Sequence, residues 1–125
     1  SGKDTWGGYA AERRQIADTI ASRGIRNLVM VSGDAHMVAI DDGTNSDFAT
    51  GGGGGFPVLH AAALDRRGRV KGGPYSHGTF PGPGRFGVVR VEDRGNSVSV
   101  DLSGRDYHDR TLVRYRFEVP VPLAR

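Results

Sequence analysis

The C-terminal part of this chain is written in two-residue steps. Val98, Val100 and Leu102 alternate with Ser97, Ser99, Asp101 and Ser103, and Val113, Tyr115, Phe117 and Val119 alternate with Arg114, Arg116 and Glu118. A period of two belongs to a strand with one face on a core and the other in water. Phe86 to Glu92 reads as a further strand, and Asp93-Arg94-Gly95-Asn96 reads as the hairpin turn that follows it. Pro120 and Pro122 end the series, because proline cannot donate to a ladder. Three strands in succession predict an antiparallel meander.

The N-terminal half has a different rhythm. Residues 8–23 predict a helix, with Ile16 and Ile20 four apart and Ala17 and Ala21 beside them in one apolar stripe. Gly24 stands where a helix C-terminal cap belongs. Residues 27–32 follow as a strand. Leu28, Val29, Met30 and Val31 are continuously apolar, the pattern of a central strand covered on both faces. Helix, glycine turn and buried strand make half of an α/β unit. Val38 to Ile40 predicts another short strand, broken by Asp41-Asp42-Gly43. Phe56 to Leu64 fits either a strand or a short helix. The fold class is therefore α+β (α/β): one N-terminal helix, a buried strand, then a mainly antiparallel meander, in one domain over residues 1–125.

Glycine is the compositional outlier, at 20 of 125 residues and concentrated between positions 51 and 87. Residues 65–85 carry Gly72-Gly73-Pro74 and Pro81-Gly82-Pro83-Gly84, a loop longer than is usual without a function. The hydrophobic and charged fractions, 37% and 25%, are those of a globular chain. No apolar run approaches the roughly 20 residues needed to cross a bilayer. Net charge is +3, but the Arg residues are scattered and no Lys/Arg run of five or more exists, so the clustering of a nucleic-acid footprint is only weakly shown. The surplus suits an anionic substrate, phosphate esters included. With no cysteine, any metal site must use Asp, Glu, His or oxygen donors.

Asp34 and His36 leave the end of the apolar run in Ser-Gly-Asp-Ala-His. Ligands gather beyond the carboxyl ends of strands in open α/β sheets. Carboxylate and imidazole suit hard or borderline divalent metals. Residues two apart on an extended chain point the same way, so both could face one site. The plainer reading is a loop Asp that caps local amides beside a packed His. His60, His77 and His108 are each isolated in sequence, Ser76-His77 has no triad spacing, and Gly51–Gly55 lacks the Gly-Lys-Ser/Thr ending of a P-loop. Asp4, Trp6 and Tyr9 precede the helix. Trp6 either covers the core or lines a cleft mouth.

Together, "DTWGGYAAERRQI" (4–16) and "IRNLVMVSGDAHM" (25–37) resemble the late part of the alkaline phosphatase D type, or PhoD-like, metallophosphatases. In that family an Asp-x-Trp-x-Gly-Tyr segment leads into an Arg-rich helix, a buried strand and Ser-Gly-Asp-x-His. "GGGGGFPVLHAAALDR" (51–66), "VKGGPYSHG" (70–78) and "LVRYRFEV" (112–119) resemble the tail of one bacterial branch.

The resemblance implies a calcineurin-like phosphoesterase sandwich and hydrolysis of phosphate mono- or diesters by a cluster of divalent or trivalent metal ions, with Ca, Fe, Mn or Zn as candidates. Asp34 and His36 become members of that cluster or its immediate shell. Trp6, Tyr9 and His77 become candidates to line the site, and no catalytic residue is assigned. The family's earlier Asp, Gly-Asp and Asn or Asp-His motifs have no counterpart in these residues. The chain is therefore expected to be the C-terminal portion of a longer phosphatase, inactive alone, with open sheet edges that invite a homo-oligomer. Many relatives are exported, which leaves the compartment of this chain undetermined. The expected partner is a small phosphate ester, not a membrane or nucleic acid. The alternative is a non-catalytic α+β module that binds a partner or supports another domain.

Overall fold

The computed structural model describes residues 5–122, so Asp4 lies outside the described residues. A 3-10 turn over Trp6–Tyr9 runs into helix α1 (Ala10–Ser22). Ala17 and Ile20 are its buried residues, and Ile16 is 46% exposed, so the stripe read from the sequence is narrower in the fold. The helix ends as Gly24 requires. Gly24 takes φ +61°, its N–H bonds Ala21 O at 3.1 Å, and Ile25 N–H reaches back to Ile20 O at 3.1 Å. That pair of bonds is a Schellman ending, which satisfies carbonyls the helix would otherwise orphan.

Seven strands follow: β1 (Met30–Ser32), β2 (Met37–Asp41), β3 (Val58–His60), β4 (Thr79–Pro81), β5 (Arg85–Asp93), β6 (Ser97–Asp106) and β7 (Thr111–Pro120). The first four form one sheet in the order β1-β3-β2-β4, with β1 parallel to β3 and the other pairs antiparallel. The last three form the expected antiparallel meander, β5-β6-β7. Phe56 to Leu64 resolves into strand β3, and β4 lies within the long Gly/Pro-rich stretch.

One strand expectation is corrected. β1 is an edge strand of three residues, and Val31 is 61% exposed. The central place belongs to β2, all five of whose residues are buried. The apolar run 28–31 resembled a covered strand because Val29 packs on the core while Val31 shares its face with buried Leu59.

The two sheets pack face to face. Val38, Ile40 and Leu59 meet Val100, Leu102 and Val113 in the main core. Complete burial of Leu102 contributes about 2 kcal/mol. Gly87 and Gly104 are directly opposed on β5 and β6. A Cβ on Gly104 would stand 2.7 Å from Val38 Cβ, so this glycine lets the sheets approach. On its other face, β2 turns Met37 and Ala39 toward a smaller cluster with Ala35 and Tyr75. The functional candidates lie on that side.

Candidate functional site

β1 and β2 are not neighbours, so the chain must cross the end of β3 between them. Ser32-Gly33-Asp34-Ala35-His36 makes that crossing, and His60 at the end of β3 sits beneath it. Ala35 O can only accept, so the His60 Nε2–H donates to it at 3.0 Å. The Ser32 hydroxyl then donates to Nδ1 at 2.9 Å. Both ring nitrogens are used and the residue is 4% exposed, which makes His60 a brace for the turn and not a free ligand. Ala61 N–H adds a main-chain bond to Ser32 O at 3.0 Å.

The turn presents Asp34 with φ +80°, a left-handed conformation that few non-glycine residues adopt. The extended-chain argument for Asp34 and His36 facing one way therefore does not hold, because the alternation starts only at Met37. Asp34 lines a cleft of about 660 Å3, and His36 does not. The exposed Asp34 carboxylate receives Lys71 Nζ at 2.6 Å. The Lys71 hydrogen bond, then its charge, holds the carboxyl below its ordinary value.

His36 is held differently. Its Nδ1–H donates to the carbonyl of Arg67 at 3.0 Å, since that oxygen can only accept. In the neutral ring this leaves Nε2 with its lone pair. Metal-binding histidines are fixed in this way, the distal nitrogen anchored to a carbonyl or carboxylate. The main-chain carbonyl of His36 also accepts from Arg69 N–H at 3.0 Å.

Trp6, Phe48 and Phe56 also line the cleft. Trp6 meets Phe48 edge to face at 5.9 Å, and the Arg13 guanidinium lies 3.9 Å over the Phe48 ring. Tyr75 closes another side, its hydroxyl pushed up in pKa by burial and by the nearby Asp41 charge. Tyr9 is 59% exposed and does not line the cleft. His77 is exposed at the far end of β2, where its N–H bonds Ile40 O at 3.0 Å and its ring stands 5.1 Å from Tyr115. Of the five residues singled out from sequence, Asp34 and Trp6 line the cleft, His36 adjoins it, and Tyr9 and His77 stand away.

Three residues escaped the sequence reading. Lys71 follows Arg66, Arg67 and Arg69 in a glycine-rich loop, and nothing local sets it apart from them. His60 looked isolated because its partners lie on other strands. Asp41 read as a strand breaker, yet it is 2% exposed and its carboxylate accepts from Gly43 N, Asn45 N, Asn45 Nδ2 and Ser76 N at 2.8 to 3.0 Å. The Asp-x-Gly spacing carried the local part of that signal, since Asp side chains commonly bond the amide two residues on.

The arrangement ends a sheet in one exposed carboxylate and one pre-oriented imidazole, beside an apolar cleft with cations at its rim. Residues 1–60 match the family model of the PhoD-like phosphatases. No curated protein and no solved structure matches the chain. The match to the PhoD-like model ends at His60, so it takes in α1, β1, the Asp34 turn, β2 and β3 and leaves out the meander. PhoD-like phosphatases are generally metal dependent. Among the described residues, no group of three or more His, Asp and Glu side chains comes together as a metal cage. Asp34 and His36 fit part of a mixed oxygen and nitrogen shell, short of the usual three or four protein ligands.

Proposed function

We propose that this chain is the late segment of a metal-dependent phosphoesterase that hydrolyses phosphate mono- or diesters. Asp34 and His36 contribute late ligands to its metal cluster, and other donors come from outside these residues. The observation that carries this reading is the His36 Nδ1–H bond to Arg67 O, which leaves Nε2 available at the end of a sheet beside Asp34. The match of residues 1–60 to a phosphatase family supports it. A bound metal would polarise phosphoryl oxygens and lower the pKa of a bound water. The chain's own residues do the rest: His60 braces the turn, Asp34 and His36 supply donors, and the aromatic wall keeps bulk water from one side of the cleft.

Because two ligands hold a metal weakly, the isolated chain should bind Mn2+ weakly and show no turnover of an aryl phosphate. Titration of the chain with Mn2+ by electron paramagnetic resonance tests the assignment. Weak binding lost in both Asp34→Ala and His36→Ala supports it, and binding unchanged by either substitution refutes it. A second reading, a non-catalytic partner-binding module, is favoured by one observation. Lys71 already neutralises Asp34, so the turn is electrostatically complete without a metal. Binding of Mn2+ elsewhere on the chain, with Asp34 still paired to Lys71, would favour that reading.

A further inference from the structure

β5 is one of the two edges of the meander, and its inner face is only partly covered. Gly87 packs on Ala61 and Leu59, but Val89 and Val91 further along are 43% and 64% exposed. Their cross-strand neighbours Leu102 and Val100 are buried. The start of the strand is closed to a partner, because Gly84 and Arg85 N–H groups bond Leu64 O and Ala63 O at 2.9 and 3.0 Å. The stretch from Val88 onward is open among the described residues.

The hairpin fixes which main-chain groups face outward. Arg94 N–H donates to Ser97 O at 2.9 Å, so Arg94 and Ser97 form a hydrogen-bonded pair. Such pairs alternate along an antiparallel ladder. Arg90 and Glu92 therefore turn their main-chain groups to β6, and Val89, Val91 and Asp93 turn theirs to the open side. An unpaired row of this kind is a template for another strand.

We infer that this edge pairs with β5 of a second copy of the chain, antiparallel about a two-fold axis at Val91. That register sets Val91 against the partner's Val91 and Val89 against the partner's Asp93, all with outward main-chain groups. On the other face it sets Arg90 against the partner's Glu92, and by symmetry repeats that pair. Arg90 and Glu92 are both exposed; within the chain Arg90 lies across the ladder from Asp101, and Glu92 lies 3.5 Å from Arg94, so the contact adds an opposite charge to each from the second copy. The neighbouring registers are worse. Moving the axis to Arg90 opposes two arginines, and moving it to Val89 runs the partner toward the segment already covered by Ala63 and Leu64. The two-fold contact is closed, so it ends at a dimer. This surface uses none of the residues of the Asp34 cleft.

Sedimentation equilibrium of the chain across the micromolar range tests the inference, with far-UV circular dichroism confirming the fold of each variant. The wild type should show a concentration-dependent dimer. Arg90→Glu alone and Glu92→Arg alone each place like charges opposite one another twice, and each should weaken the dimer about tenfold or more. The double variant Arg90→Glu, Glu92→Arg should restore it. A wild type that stays monomeric, a dimer indifferent to the single reversals, failure of the double variant to recover, or open-ended association would each overturn the inference.

Discussion

Lys71 Nζ lies 2.6 Å from Asp34 Oδ2 and ties the Gly-rich loop to the turn between β1 and β2 across 37 positions of sequence. The bond places a fixed ammonium where a metal ion would sit if Asp34 were a ligand. A cation bound through Oδ2 displaces Lys71 from it.

That geometry has a pH signature. The carboxyl of Asp34 is held below its ordinary value, first by the Lys71 hydrogen bond and then by its charge. A depressed folded pKa means the pair is intact above the ordinary carboxylate value of about 3.9 and is lost as pH falls through the lower folded value. Carbon NMR titration of the Asp34 carboxyl should give a midpoint below that value in the wild type. Lys71→Met should return it toward normal. An unmoved midpoint would contradict the assigned cause.

His60 is the brace, and its loss should be felt as stability. Removing the buried ring in His60→Ala frees the Ser32 hydroxyl and the Ala35 carbonyl of their partner. The expected cost is about 2–4 kcal/mol, read from urea unfolding. A loss below about 1 kcal/mol would mean the turn is held by its main-chain bonds alone.

The sheet interface makes a sharper contrast between two glycines. A methyl on Gly104 would lie 2.7 Å from Val38 and 2.8 Å from Val113, atoms of a buried core with little freedom to move. Gly104→Ala should destabilise by about 1–3 kcal/mol through overpacking. Gly51→Ala meets nothing within 4 Å, and should stay within about 0.5 kcal/mol of wild type in the same unfolding assay. Equal effects at the two positions would contradict the packing described here.

The meander was legible because side chains alternate over 97–103 and 113–119, and a sustained period-two pattern has few other solutions, although the polar face of β6 is not in water as read: Ser99 and Ser103 are buried. The Gly24 cap was legible for a local reason too. The four-residue run 28–31 was not, since continuous apolarity cannot tell a central strand from an edge strand whose neighbour lies elsewhere in the chain. Asp34 and His36 were found by residue type, but their relation was misread: alternation applies to extended backbone, and Asp34 is left-handed. Lys71 and His60 could not be found at all from local pattern, because their partners are brought to them only by the strand order β1-β3-β2.

The central claim is that Asp34 and His36 hold metal for phosphoester hydrolysis. The most direct measurement is metal-dependent hydrolysis of an aryl phosphate, with metal content per chain, for the complete gene product carrying this segment, beside its Asp34→Ala and His36→Ala forms. Both substitutions should lower activity about a hundredfold or more and reduce bound metal, as expected when a metal's ligands or their immediate supports are removed. Full activity and full metal content in both would contradict the account.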